Sequence, residues 1–215
     1  MADEASPTKK NLTPEAMTYL ENLVQAEPIL GNAFRLMNDA SFLFEGARYS
    51  STVALAVLCM EEVGKYLLAL WSKSPVFTYD KRRIHQSKQL AIAALFVSDR
   101  VRQEAYKRNV DFSDLGSPEK MSVLAEAIRF AIDKESFFAG TVNSGVIQII
   151  KHSGIYYDEE YVQKGIEPGK ITGENATEMM QMCSRAFMVL TEAKSVGLAA
   201  DVYPLLEKKP PKGPT

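Results

Sequence analysis

Apolar residues recur three and four positions apart along most of the chain, the spacing of helices that bury one face. Thr13, Pro14 and Glu15 stand in the order N-cap, first-turn proline and first-turn acid, which predicts a helix start. Pro28 opens a second helix, with Ile29, Ala33, Leu36, Ala40, Leu43 and Ala47 along its core face. Residues 46–50 break it, and a third helix runs from Ser51 to about Ser72, stopping before Ser74 and Pro75. A fourth is expected from roughly Arg83 to Lys107, apolar at Leu90, Ala93, Ala94, Val97 and Val101. Ser117, Pro118 and Glu119 start a fifth, continuing toward Lys151 with a kink near Gly140 or Gly145. Thr172 or Asn175 caps a sixth, which faces inward with Met179, Cys183, Ala186, Leu190 and Ala193.

No strand alternation and no internal repeat interrupts this pattern. The expected fold is therefore all-α, a single-domain bundle of about six helices over residues 13–206. Residues 1–12 and 207–215 are too poor in apolar side chains to fold and are expected to be disordered tails. Residues 153–172 form a long connection before the last helix. Its tyrosines and isoleucines predict a loop packed onto the bundle, and loops of that length are usually functional or disordered.

Charge narrows the function classes. Lys and Arg total 25 against 27 Asp and Glu, so no overall field draws the chain onto nucleic acid or a membrane. The third helix is long enough to span a bilayer. Glu61, Glu62 and Lys65 lie near its middle, however, and central charges cost about 2.5–3.5 kcal/mol each. A buried core helix and no membrane contact are expected. Cys59 and Cys183 sit in apolar helical segments, which suits buried thiols in a reducing, cytoplasmic setting. Two Cys and two His supply neither a disulfide scaffold nor a four-ligand zinc site. The first 13 residues lack the apolar core of a secretory signal. Phosphate-binding Gly loops, Gly-x-Ser-x-Gly elbows, HExxH pairs and Glu-x-x-His pairs are all missing, so no metal and no cofactor are expected.

Two constellations remain. The first is Glu61-Glu62-Val-Gly-Lys65 in the third helix. Glu61 and Lys65 stand at i, i+4, while Glu62 lies about 100° further round, on the side of Leu58 and Tyr66. One carboxylate pairs locally and the other needs a partner on a neighbouring helix or in water; the sequence leaves open which faces the core. Gly64 costs roughly 1 kcal/mol of helix propensity relative to Ala, a sign that something approaches the backbone there. The second is the run Lys81 to Gln89, with Arg82, Arg83, His85 and Lys88. From Lys81 to Arg108 eight Lys or Arg residues face two acids, an excess that suits either a phosphate backbone or the acidic third helix. His85 and Lys88 share a face and could meet Glu61 or Glu62 across a helix pair. An imidazole beside a carboxylate is the minimum for general acid–base work. The same groups also make an ordinary structural polar cluster.

The stretch from Ala33 through Arg48-Tyr49-Ser50 to Glu61-Glu62-Val-Gly-Lys65 resembles the AbiV family of abortive-infection proteins. His85-x-x-Lys88 and the later Gly154-Ile-Tyr156-Tyr157-Asp158 match further elements of that family in order, covering roughly residues 30–160. The resemblance implies a helical domain related to the HEPN group and used against phage. It also implies a homodimer that binds a phage or host protein and arrests growth or translation. Tyr156, Tyr157 and Asp158 join Glu61, Glu62, Lys65, Arg82, Arg83, His85 and Lys88 as candidate binding residues. Many HEPN proteins are ribonucleases with an Arg four to six residues before a His. Here those positions hold Lys81, Asp80 and Tyr79 before His85, and Gln148, Ile147 and Val146 before His152, so the standard nuclease signature is absent. An RNA-directed enzyme would need a different site, with RNA contacts in residues 81–108 and Glu62, His85 and Lys88 as catalytic candidates. A helical adaptor whose polar cluster only fixes helix register is the third reading.

Overall fold

A computed structural model describes residues 13–108, 118–143, 147, 151 and 170–207. Seven α-helices lie among the described residues: α1 Pro14–Ala26, α2 Pro28–Glu45, α3 Tyr49–Trp71, α4 Ile84–Lys107, α5 Pro118–Asn143, α6 Gly173–Leu190 and α7 Ala193–Leu206. A 3-10 turn, Lys81–Arg83, leads into α4. The described residues include no strand.

The helix ends follow local chemistry. Thr13 Oγ1 accepts the Ala16 N–H at 3.3 Å, with Pro14 in the first turn of α1. Thr172 and Asn175, alternative caps in the sequence, form one reciprocal capping box at the start of α6. The last helix was expected to run unbroken through Ala193. It stops instead at Leu190, where the Thr191 N–H and Oγ1 both turn to the Met188 carbonyl, at 3.2 and 2.7 Å, and α7 restarts two residues on. Ala47, expected on the core face of α2, is exposed in the turn before α3, with φ at 54°.

α3 and α4 form the centre. α3 buries Val53, Val57, Met60, Val63 and Leu67, and α4 is enclosed from Leu90 to Val97 and again at Val101. α2 and α6 pack on α3, α5 and α7 on α4, and α1 rests on α2 without a fully buried side chain of its own. Where α3 crosses α4 the backbones nearly touch. A Cβ at Gly64 would run into the Lys88 carbonyl, whose carbon would lie 2.7 Å away. That approach is the close contact signalled by a glycine in mid-helix.

The cysteines are free and buried, on α3 and α6. Cys183 Sγ donates to the Ala56 carbonyl at 3.1 Å, and its hydrogen bond with Cys59 together with burial pushes the thiol well above its ordinary pKa. Further along α4, Asp99 and the facing Glu135 of α5 gather the arginines. Arg185 reaches Glu135 at 3.0 and 3.3 Å and lies 4.3 Å above the Phe96 ring. Arg102 binds Asp99 at 3.2 Å and Ser195 Oγ at 3.0 Å.

Tyr203 on α7 is buried against Trp71 and Phe77. Among the described residues its hydroxyl makes no hydrogen bond of good geometry; Ser87 lies close enough to temper its pKa but donates to the Asp80 carbonyl at 3.0 Å. Burial pushes its pKa from 10.0 up to about 12. A pKa raised on folding means that the neutral ring stabilises the fold fully below pH 10.0 and progressively less up to about pH 12. Tyr203→Phe removes an unsatisfied hydroxyl, so its urea midpoint at neutral pH is expected to equal or exceed that of the wild type. The alkaline fall in that midpoint should shrink in the variant. A large loss at neutral pH would show that the hydroxyl does have a partner.

Candidate functional site

Val57, Glu61, Gly64 and Leu68 recur at helical spacing on the stripe of α3 that meets the core. Glu61 therefore enters the bundle beside the glycine that lets α4 come close. It is 2% exposed. Its Oε1 accepts from Gln89 Nε2 at 2.9 Å and from Lys151 Nζ at 2.9 Å. Its Oε2 accepts from His85 Nδ1 at 2.8 Å. The Lys151 side chain is only 7% exposed, so carboxylate and ammonium compensate each other inside the protein.

Glu61 fixes the state of His85. A carboxylate oxygen can only accept, so Nδ1 carries the proton, and in the neutral ring Nε2 keeps its lone pair. The His85 side chain is 56% exposed, which leaves Nε2 facing outward. His85 is the second residue of α4, a helix with no side-chain cap and no acid in its first turn. The turn before it is held by Asp80. Its carboxyl accepts the Arg82 N–H at 2.9 Å, a bond that holds it below the usual carboxylate range, and its carbonyl accepts from Ser87 at 3.0 Å. Lys81, Arg82 and Arg83 stand exposed on that turn, and Lys88 follows His85 by three residues on the same face.

The pairing differs from the expected one in two ways. Lys65 was placed beside Glu61 at i, i+4, but it meets Glu62 at 3.4 Å near the surface. The sequence left open which glutamate meets His85 and named Glu62 for the RNA-directed alternative; Glu61 does so, because Glu62 lies off the stripe that faces α4. The basic run also narrows. Arg100 faces Glu135, Arg102 binds Asp99, Lys107 binds Glu104 and Arg108 binds Glu126, so the outward excess sits at residues 81–88. Tyr156, Tyr157 and Asp158 lie outside the described residues. Gln89 and Lys151 were missed. Gln89 follows His85 at i+4 and was legible as a same-face partner; Lys151, a lone cation after an apolar run, carried no sign of its target.

The HEPN_AbiV family model, described as AbiV, matches residues 23–187. The chain belongs to the AbiV family. The match takes in Glu61, His85, Gln89 and Lys151, and the bundle is the HEPN-like helical domain of the AbiV family. Membership in AbiV brings abortive-infection defence as the coarse functional class. Curated proteins and solved structures give no match. Among the described residues no helix is long and apolar enough to cross a membrane, and no three His, Cys, Asp or Glu residues group to hold a metal ion.

Proposed function

We propose that this AbiV-family chain is a cytoplasmic phage-defence effector that acts as a homodimer. It engages a phage or host component and arrests growth or translation during infection. The observation that supports this reading is the family match over residues 23–187, which contains both the buried cluster and the basic start of α4. The test is a plaque assay on cells expressing the wild type, His85→Ala, or Arg82→Ala with Arg83→Ala, at equal soluble levels. Wild type should lower plaque number, and both variants should restore it. Plating equal to the empty vector for the wild type sinks the defence reading. Protection kept by His85→Ala assigns the cluster to folding and moves recognition to another surface.

A second reading, an RNA-directed enzyme with a non-standard site, is favoured by one observation. Glu61 holds His85 in the tautomer that leaves Nε2 outward, as a general base requires, beside exposed cations. It predicts that pure protein cleaves RNA and that His85→Ala slows cleavage by about 10²–10⁴-fold with the fold intact. Inert protein rules this reading out and leaves the first standing.

A further inference from the structure

We propose that His85 is a phosphoryl-acceptor site: Nε2 takes a phosphoryl group from a small N-phosphate or acyl-phosphate donor, and Glu61 and the basic start of α4 stabilise the product. The proposal uses the Glu61–His85 pair but needs no RNA, so it stands or falls apart from the RNA-directed reading.

Three features support it. Nucleophilic attack by imidazole needs a lone pair on an accessible nitrogen. In the neutral ring, the 2.8 Å bond from Nδ1 to Glu61 Oε2 puts the proton on the inward nitrogen and leaves the lone pair on the other. Positive charge develops on the ring as Nε2 forms its bond to phosphorus. Glu61 lies against Nδ1–H to meet that charge, held in place by Lys151 and Gln89 at 2.9 Å each. The phosphoryl oxygens would then project near the first turn of α4. Helical side chains lean toward the N-terminus, and this one has neither a capping side chain nor a first-turn acid. Lys81, Arg82 and Arg83 precede that end and Lys88 follows it, with Arg82 also 3.4 Å from the Asp80 carboxylate, so cations outnumber acids where a phosphate could make new charge-assisted hydrogen bonds.

With phosphoramidate as donor, the Nε2–P bond forms and the donor P–N bond breaks. Ammonia leaves with that electron pair. No oxidant or metal takes part. The product places about −1.5 to −2 charges beside the cations of the turn that leads into α4, offsetting much of the positive charge offered there.

The chain has 2 His, His85 and His152, so each molecule carries an internal reference. Purified full-length protein is incubated with potassium phosphoramidate, and phosphorylation at each histidine is followed by mass spectrometry under alkaline conditions. His85 should react about tenfold or more faster than His152. His85→Gln should abolish the fast phase and leave the slow one. Arg83→Ala with Lys88→Ala, both off the apolar core, should slow the fast phase several-fold. Glu61→Gln, where circular dichroism matches the wild type, should bring it down to the His152 rate. Equal labelling of the two histidines overturns the proposal. So does a His85 rate unmoved by the Arg83 and Lys88 changes, which would mark exposure alone. Loss of phage protection in His85→Ala without selective labelling also overturns it, while leaving the defence reading intact.

Discussion

Glu61→Ala is expected to cost about 3–5 kcal/mol of stability, because it strands the Lys151 ammonium in the bundle without a counter-charge. That is a large share of the ~5–15 kcal/mol that holds an ordinary domain folded. Gln89 suffers as well: its Nε2 loses its acceptor inside the protein, and its Oε1 already has no partner among the described residues. His85 loses least, since its exposed ring can turn to water. Chemical denaturation of Glu61→Ala, Lys151→Met and the double variant that carries both changes separates these effects. Removing both charges should recover at least about 1 kcal/mol of the summed single losses, the mark of groups in direct contact. Strict additivity would show that the two side chains do not pair.

Gly64→Ala should destabilise by an amount near the upper end of the ~1–3 kcal/mol typical of overpacking. Two effects oppose each other here. Alanine favours a helix interior over glycine by about 1 kcal/mol, and an exposed mid-helix glycine would show that gain. At Gly64 the new methyl meets the Lys88 carbonyl, a backbone atom that cannot rotate away. α3 and α4 must part, which also lengthens the bonds from Glu61 to His85 and Gln89 on the same crossing. Steric cost therefore outweighs propensity, and the urea midpoint should fall. A rise in midpoint would mean that the helices stand further apart than this contact requires.

Helix periodicity and caps made most of the fold legible. The strongest cues were local: Thr13-Pro14-Glu15, Pro28, Ser117-Pro118-Glu119 and the Thr172–Asn175 box depend on neighbours in sequence. The break after Leu190 was not legible, because no glycine or proline marks it. At the site, the residue types and the α3–α4 meeting were readable, with Gly64 as the sign of close approach. Which glutamate turned inward was not. Glu61 and Glu62 differ by one position, and the stripe that wins is set by where α4 lands on α3. Lys151 was hidden for the same reason, since its partner lies 90 positions back along the chain.

That separation has a consequence for folding order. His85 and Gln89 reach Glu61 across only 24 and 28 positions, so the α3–α4 hairpin assembles its part of the cluster from near-local contacts. Lys151 arrives only after the intervening helices have been brought round, and closing that longer loop costs more chain entropy. The buried ammonium is thus expected to close late, on the native side of the folding barrier. Its contribution falls on the rate at which the bundle comes apart more than on the rate at which it assembles. The cluster is therefore expected to act as a latch on the lifetime of the folded state.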